Sequence, residues 1–393
     1  MTTPSKKIGY WLLCVAAVVF FMIAVGGLTR LTHSGLSMVE WKPIMGTLPP
    51  LSNADWQEMF TKYQDSPEYQ KVNKGMSLDE FKSIFWFEYG HRVLGRFIGL
   101  IFALPFAYFL ITKQIKRSLI PRLIILFILG GAQGVIGWWM VKSGLVDRPD
   151  VSHYRLTVHL GMAFLLYVAL LWTGLEQLRK DVGPAHSHSR YAMVLLTMVY
   201  FTVLSGGLVA GLDAGQQFNT FPLMAGQLIP EGLFVQIPWY QNLTENTMTV
   251  QFNHRTLAIT TALLILCFWY FLGRTKLSRW GNIARHAMFF AVILQVTLGI
   301  STLLTFVWVP LASAHQMGAV VLLSSMVWLV HELRRPSLQV VAKRPVPVSE
   351  PASKNGQLLI ENPVEAKSPV SAKSPVLANS SVLANSPITK SAE

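Results

Sequence analysis

The sequence predicts an all-α integral membrane protein, with eight transmembrane helices arranged as two tandem four-helix bundles related by pseudo-two-fold symmetry along the membrane normal. Three observations predict it. The first is composition: 52% of the 393 residues are hydrophobic, 13% are charged and the mean hydropathy is +0.41, values typical of a membrane-embedded chain rather than a soluble domain. The second is the presence of eight apolar runs, each long enough to cross roughly 30 Å of hydrocarbon at about 1.5 Å per residue. The third is internal repetition at an interval of about 160 to 180 residues. Glu88-x-x-His91-Arg92 returns as Gln251-x-x-His254-Arg255, Gly26-Gly27-Leu28 as Gly206-Gly207-Leu208, Pro43-x-Met45 as Pro222-x-Met224, and Gln133 with Gly137 as Gln295 with Gly299.

The spans are expected near 8–28, 90–111, 119–141, 157–176, 191–211, 252–272, 283–306 and 312–332. The first follows Lys6 and Lys7, but its apolar stretch is long and no small-residue cleavage site follows, so it reads as an uncleaved span. Without an Arg-rich amphipathic transit segment, a bacterial inner membrane is expected. Lys and Arg set the orientation. They crowd the 113–122, 177–190 and 273–285 connections and are missing from 212–250 and 307–314. Both termini are therefore expected in the cytoplasm. The net charge of +13 is mostly this topology signal and makes no case for nucleic acid. Cys14 and Cys267 fall inside spans and read as small buried apolar residues.

Three domains follow. Residues 1–176 form an N-terminal half, 191–333 a C-terminal half, and 337–393, with its recurring Ser-Pro-Val and Val-Leu-Ala-Asn-Ser, a low-complexity cytoplasmic tail expected to be disordered. The long outer loop 29–86 carries two capping-box patterns, Ser52-x-x-Asp55 and Ser77-x-x-Glu80, so short surface helices are expected there, the second running into span 2. The second long outer loop, 212–250, is rich in Gly, Pro and aromatics.

His91, His159, His254 and His315 open spans 2, 4, 6 and 8, all at one depth below the outer face. Ionisable groups are costly inside a bilayer and mark function. Within each half one histidine can face another: His91 with His159, and His254 with His315. Two neutral imidazoles across an apolar slot suit six-coordinate haem iron, whereas zinc wants a third or fourth ligand at each site, and none recurs in both halves. Gly130, Gly131, Gly134 and Gly137 would give a macrocycle room, close helix packing being the alternative. Arg92 and Arg255 are candidates for propionate contacts, with snorkelling to lipid headgroups as the alternative. His33, His153, His186, His188, His286 and His331 lack such pairing.

Glu88 in the first pentad becomes Gln251 in the second, so a proton-exchanging group stands beside only one histidine pair. A positioned carboxylate of this kind suits acid–base work, and Glu88 is the candidate catalytic residue.

Gly26-Gly-Leu-Thr-Arg-Leu-Thr-His-Ser-Gly-Leu-Ser37, Glu88-x-x-His91-Arg92, Asn219-Thr-Phe-Pro-Leu-Met224 and His254-Arg255, in that order, resemble the heme A synthase family in its proteobacterial and mitochondrial form, which lacks the cysteine pair that another branch carries in its outer loops. The resemblance covers about residues 8–333. It implies an oxidoreductase that converts a ring methyl of heme O to the formyl group of heme A by successive hydroxylation, for cytochrome c oxidase. It also implies a heme b cofactor on His254 and His315, and a substrate haem framed by His91 and His159. Partners expected with it are heme O synthase and an electron donor, and a homo-oligomer is open. Three other classes are weighed beside it: a dihaem b-type cytochrome that only transfers electrons, a transporter with a parallel repeat, and an assembly scaffold. The first does not need the Glu88/Gln251 asymmetry, and the other two do not need the co-planar histidines.

Overall fold

The computed structural model describes residues 6–40, 48–146, 149–179 and 185–334. Pro43, Met45 and the tail 337–393 lie outside them. Among the described residues the protein is all-α with no strand. Eight helices are long and apolar enough to cross a membrane: α1 (Lys6–Leu31), α4 (Leu78–Ile111), α5 (Ile120–Lys142), α6 (His153–Leu178), α7 (Ser189–Gly211), α8 (Thr247–Leu272), α9 (Arg279–Leu304) and α10 (Val309–Arg334). Helices suit this setting because hydrocarbon offers no partner to a backbone N–H or C=O, and a helix satisfies both within one segment. Two short helices, α2 (Asn53–Gln64) and α3 (Pro67–Lys71), lie between α1 and α4.

Both capping boxes form. Ser52 Oγ accepts from the Asp55 N–H while the Asp55 carboxylate accepts from the Ser52 N–H, and Ser77 and Glu80 do the same at the start of α4. The second box starts one unbroken 34-residue helix. α4 therefore begins 12 residues before the apolar run expected at residue 90, and its polar first turns form part of a cap. The cap closes over Phe60, Tyr63, Phe81 and Phe85, all at most 6% exposed, with the Tyr63 and Phe81 rings stacked 5.1 Å apart.

Pro105 sits inside α4. Having no N–H, it leaves the carbonyl four residues back without its helical donor. That carbonyl belongs to Ile101, and the indole N–H of Trp11 on α1 donates to it at 2.9 Å, so one helix repairs the other's ladder.

Each span packs on its neighbours in turn. α1 packs against α4 and α6, and α5 lies between α4 and α6. α7 packs against α8 and α10, and α9 lies between α8 and α10. α6–α7, α1–α10 and α6–α10 contacts join the two sets. Gln316 on α10 donates to the Ile23 carbonyl of α1 at 2.9 Å. A Cβ on Gly27 would fall 2.0 Å from the Gln316 amide oxygen, so a side chain there would make the Gln316 amide shift.

Burial is uneven. Half of the α10 apolar stretch is buried inside the protein, against 11% for α4 and 6% for α5; the corresponding figures for α8 and α9 are 28% and 17%. α4 and α5 are thus the most open spans. Cys14 and Cys267 are exposed, contrary to the expectation that they are buried. A span in hydrocarbon takes apolar residues on its outside as well as its inside, so hydrophobicity alone does not separate the two.

At the end of the molecule away from His91, Trp172 donates to Glu176 at 3.0 Å and Trp328 to Glu332 at 3.2 Å, while Arg122 pairs with Glu176 and Arg179 with Glu332. Trp172 and Glu176 recur as Trp328 and Glu332 at the same 156-residue interval that separates His159 from His315, a match the sequence reading did not pick out.

Candidate haem-binding and catalytic site

The four histidines share one local design. Each imidazole lies against a glycine of the preceding span: His91 on Gly26, His159 on Gly137, His254 on Gly206 and His315 on Gly299. A Cβ at these glycines would come within 3.1, 3.1, 3.1 and 2.8 Å of the ring. Glycine lets the flat ring reach the helix backbone, and a methyl there would push it away. Three rings turn Cε1 to the glycine. His91 differs, with Nε2 as its nearest atom to Gly26. By contrast, a Cβ on Gly130, Gly131 or Gly134 would meet nothing within 4 Å. Of the four glycines expected to make room, Gly137 serves a histidine and the other three face open space.

His159 is near enough to act electrostatically on His91, and His315 on His254. The second shell differs between the pairs. Ser205 Oγ is 2.8 Å from Nδ1 of His254, which occupies that nitrogen and leaves Nε2 for another partner. The matching position in the first half, the residue before Gly26, is Val25, which has no group to offer. Gln133 donates to the His159 carbonyl at 3.2 Å. Nδ1 of His159 is buried without a hydrogen bond to another described residue, a condition that costs about 1–3 kcal/mol where no partner is supplied.

The two pentads perform one task with different chemistry. Arg92 donates to the carbonyls of Met38 and Glu40 at 2.9 and 3.0 Å, and Arg255 to those of Phe218 and Thr220 at 2.5 and 2.8 Å. Each arginine thus clamps two alternate carbonyls of the loop that follows the preceding odd-numbered span. Glu88, 3% exposed, supports the first clamp: one oxygen accepts from Arg92 at 2.6 Å, the other from the Ser37 hydroxyl and the Met38 N–H at 2.8 and 2.7 Å. Gln251, 2% exposed, supports the second by donating to the Phe218 carbonyl at 3.1 Å. Arg255 keeps a buried Nε–H with no acceptor.

Motif residues find partners here too. Arg30 reaches across to the Ala210 carbonyl and to Asp213 at 2.6 and 2.7 Å. Asn219 bonds the carbonyls of Gly215 and Leu303 at 2.6 and 3.0 Å. The six remaining histidines stand apart from the pairs. His33 is exposed in a left-handed conformation, φ 49°, His153 lies 3.6 Å from Glu245, His186 neighbours His188, His286 neighbours Arg285, and His331 packs edge-on to Trp172.

This donor set fits haem better than a bare metal ion. Among the described residues no three His, Cys, Asp or Glu side chains converge, so the imidazoles offer pairs, whereas a protein zinc site takes three or four ligands. Glycine-backed rings, one held through Nδ1, and open space above neighbouring glycines suit a flat macrocycle gripped axially. Sequence reasoning missed Ser205. Aligning Gly206-Gly207 with Gly26-Gly27 and reading one residue back would have exposed the Ser/Val difference.

Residues 9–327 match the model of a family described as COX15-CtaA, cytochrome oxidase assembly protein. The chain is 52% identical over 336 residues to a heme A synthase of Nitrosospira multiformis, covering 84% of this chain and 94% of that one. It is 49% identical over 338 residues to that of Nitrosomonas eutropha, covering 84% and 95%, and 46% identical over 355 residues to heme A synthase COX15 of Arabidopsis thaliana, covering 87% and 78%. With eight apolar helices, glycine-backed histidine pairs and this extent of similarity, the chain belongs to the COX15-CtaA family of cytochrome oxidase assembly proteins.

Proposed function

We propose that this protein is a heme A synthase, an oxidoreductase that takes heme O to heme A by oxidising one ring methyl to a formyl group. The observation that carries the reading is the unequal pair of halves on a chain about half identical to proteins of that name: one histidine pair has Glu88 beside it, the other Gln251 and the Ser205 hydroxyl.

His254 and His315 would hold a resident heme b, which would supply a one-electron path when bound. Ser205 fixes the tautomer and orientation of His254. The free Nε–H of Arg255 offers a donor to a propionate, and Arg92 is assigned the matching contact. His91 and His159 frame heme O in the first half, where the low burial of α4 and α5 supports a site that exchanges its occupant. Each hydroxylation of the methyl would use dioxygen with two electrons from the separate donor and two protons, and the second gives a geminal diol that loses water to leave the formyl group; Glu88 is assigned to relay the protons these steps move at its carboxylate oxygens.

The two histidine pairs divide the chain into halves at 1–176 and 191–333, related by an axis along the membrane normal. The arginine- and lysine-rich connections 113–122 and 273–285 support cytoplasmic termini in a bacterial inner membrane, with the histidine end outward. Heme O synthase as supplier and a separate electron donor complete the proposal.

The test is haem extraction from protein purified out of membranes, with a pyridine haemochrome spectrum and chromatography. Protohaem together with heme O or heme A is expected, and added heme O should be converted. Protohaem alone without conversion would favour the electron-transferring cytochrome, and absence of pigment a transporter or scaffold.

A further inference from the structure

The two long connections at the histidine end dispose of their apolar side chains in opposite ways. The first turns Phe60, Tyr63, Phe81 and Phe85 inward. The second, between α7 and α8, turns Leu228, Ile229, Val235, Ile237, Trp239 and Tyr240 outward, with Ile237 reaching 93% exposure. Residues 228–243 hold one charged side chain, Glu231, and neither Lys nor Arg occurs from 212 to 250. Apolar exposure on that scale marks an interaction surface, and the polar side of the same stretch is closed. Asn242, fully buried, accepts from the Gln236 N–H at 2.9 Å and donates to the carbonyls of Gln236 and Trp239 at 2.9 and 2.8 Å. Asn246 donates to the Gly232 carbonyl and to Asn242 Oδ1, both at 3.1 Å. All four hydrogen-bonding places of the Asn242 amide are thus filled. Backbone groups at Gln236 and Trp239 are satisfied from within while the hydrocarbon between and beside them points out.

We propose that residues 228–243 form a membrane-surface anchor, with Val235, Ile237, Trp239 and Tyr240 entering the headgroup–acyl boundary of the lipid leaflet at the histidine end. Three observations choose lipid over a protein partner. The stretch is tethered at both ends to membrane-spanning helices and lies along the first turn of one: the Asn246 bond holds Gly232 there, where a Cβ would meet the Met248 sulfur at 3.4 Å. The apolar surface continues onto the α9–α10 connection, whose Phe306 and Trp308 are exposed and which is tied to the same loop by the Asn219 bond to the Leu303 carbonyl at 3.0 Å. The third is composition. An aliphatic tip beside a Trp and a Tyr suits the boundary, where aromatic rings settle, and a stretch with one carboxylate and no cation gives a charged partner little to pair with. Backbone groups entering lipid need partners from the protein, and Asn242 supplies them at Gln236 and Trp239. The anchor acts on the site through α8. His254 lies five residues beyond Thr249, about 7–8 Å along the helix, so a loop fixed at the lipid boundary holds the first turn of α8, and with it that imidazole, at a set depth.

The experiment uses the full chain in phosphatidylcholine nanodiscs, with its two native cysteines replaced (Cys14→Ala, Cys267→Ala). A single new cysteine carries the environment-sensitive fluorophore NBD, either at Ile237→Cys or, as a reference in water, at the exposed Gln57→Cys of α2. Ile237 is so exposed that the change removes almost no internal contact, and the fold is spared. Expected at 237 are strong quenching by a nitroxide carried near the headgroup end of the lipid acyl chain, weak quenching by aqueous iodide and emission shifted to shorter wavelength; position 57 should show the reverse. With the label moved to Val235→Cys, adding Ile237→Asp and Trp239→Asp should abolish the nitroxide quenching. Iodide quenching at 237 equal to that at 57, without nitroxide quenching, would overturn the proposal and leave the patch to a protein partner. Nitroxide quenching at 235 unchanged by the two aspartates would also overturn it, since the apolar side chains would then not be what holds the loop in lipid. Neither readout depends on conversion of heme O.

Discussion

Ser205 Oγ stands 2.8 Å from Nδ1 of His254, and the residue aligned with it in the first half is Val25. One hydroxyl therefore separates a histidine with a fixed tautomer from one without such a partner. Second-shell partners of this kind typically change affinity 10- to 100-fold on removal. Ser205→Val, which copies the first half, should release the resident haem to a scavenger such as apomyoglobin about that much more readily, and Ser205→Thr should restore retention. Equal release rates in all three proteins would leave Ser205 without a role in ligation.

The glycines divide into two classes with opposite expectations. Gly299→Ala places a methyl 2.8 Å from the His315 ring and should displace it, with loss of the low-spin absorption of the resident haem. Gly131→Ala meets nothing within 4 Å and should leave stability within about 0.5 kcal/mol. Gly131→Trp should keep the resident haem yet block conversion of heme O. If Gly131→Trp turned over normally, the space beside α5 would not be the substrate site.

Glu88→Gln is less neutral than the sequence suggests. The carboxylate accepts on both oxygens, whereas an amide accepts on one only. Either Arg92 or the Ser37–Met38 corner would face an N–H₂. Breaking one partner out of a buried pair costs about 3–5 kcal/mol, so a lower melting temperature should accompany a fall in conversion of roughly 10² to 10⁴. Heme O should accumulate while haem at His254 and His315 persists. A variant with normal turnover would remove the carboxylate from the chemistry whatever its stability.

The cap should weaken as pH rises. Burial raises the Glu68 carboxyl in α3, and a carboxyl whose folded pKa is raised contributes stability that is fully present below its ordinary value of 4.5 and is lost as pH climbs through about 7. The full effect is on the order of 3 kcal/mol at about 1.4 kcal/mol per pH unit. Amide hydrogen exchange in residues 53–71, corrected for the intrinsic pH dependence of exchange, should show protection falling between about pH 5 and about pH 8, and Glu68→Gln should flatten the trend. Protection independent of pH in wild type would contradict the raised value.

Sidedness is tested by reporter fusions. Fusions after Lys116 and Lys276 should report the cytoplasm, and fusions at Ser66 and Gln241 the opposite side. A cytoplasmic signal at Gln241 would invert the orientation drawn from the charged connections.

The spans were legible because hydrocarbon imposes length and composition directly, and the two capping boxes because their hydrogen bonds are local. The histidine pairs and their arginines were also visible as spacing. What the sequence did not disclose depends on contacts between distant segments. Gly26, Gly137, Gly206 and Gly299 carry no mark that tells a ring-backing glycine from a helix-packing one. The clamps made by Arg92 and Arg255 need loop carbonyls whose position only the folded chain fixes. Glu68 lies in a stretch, Pro-Glu-Tyr-Gln-Lys, that reads as ordinary surface helix. Cys14 and Cys267 failed for the opposite reason, since both sides of a span are apolar.

The bond from Gln316 to the Ile23 carbonyl joins positions 293 residues apart, the first long helix to the last. During translation at about 5–20 residues per second, α1 must wait on the order of tens of seconds for α10 to emerge. Until then its Gly27 face and the Ile23 carbonyl region lack their final neighbour. A ribosome that stops before α10 thus leaves a visible vacancy on the earliest segment made, and a separately expressed second half has a ready seam by which to rejoin the first.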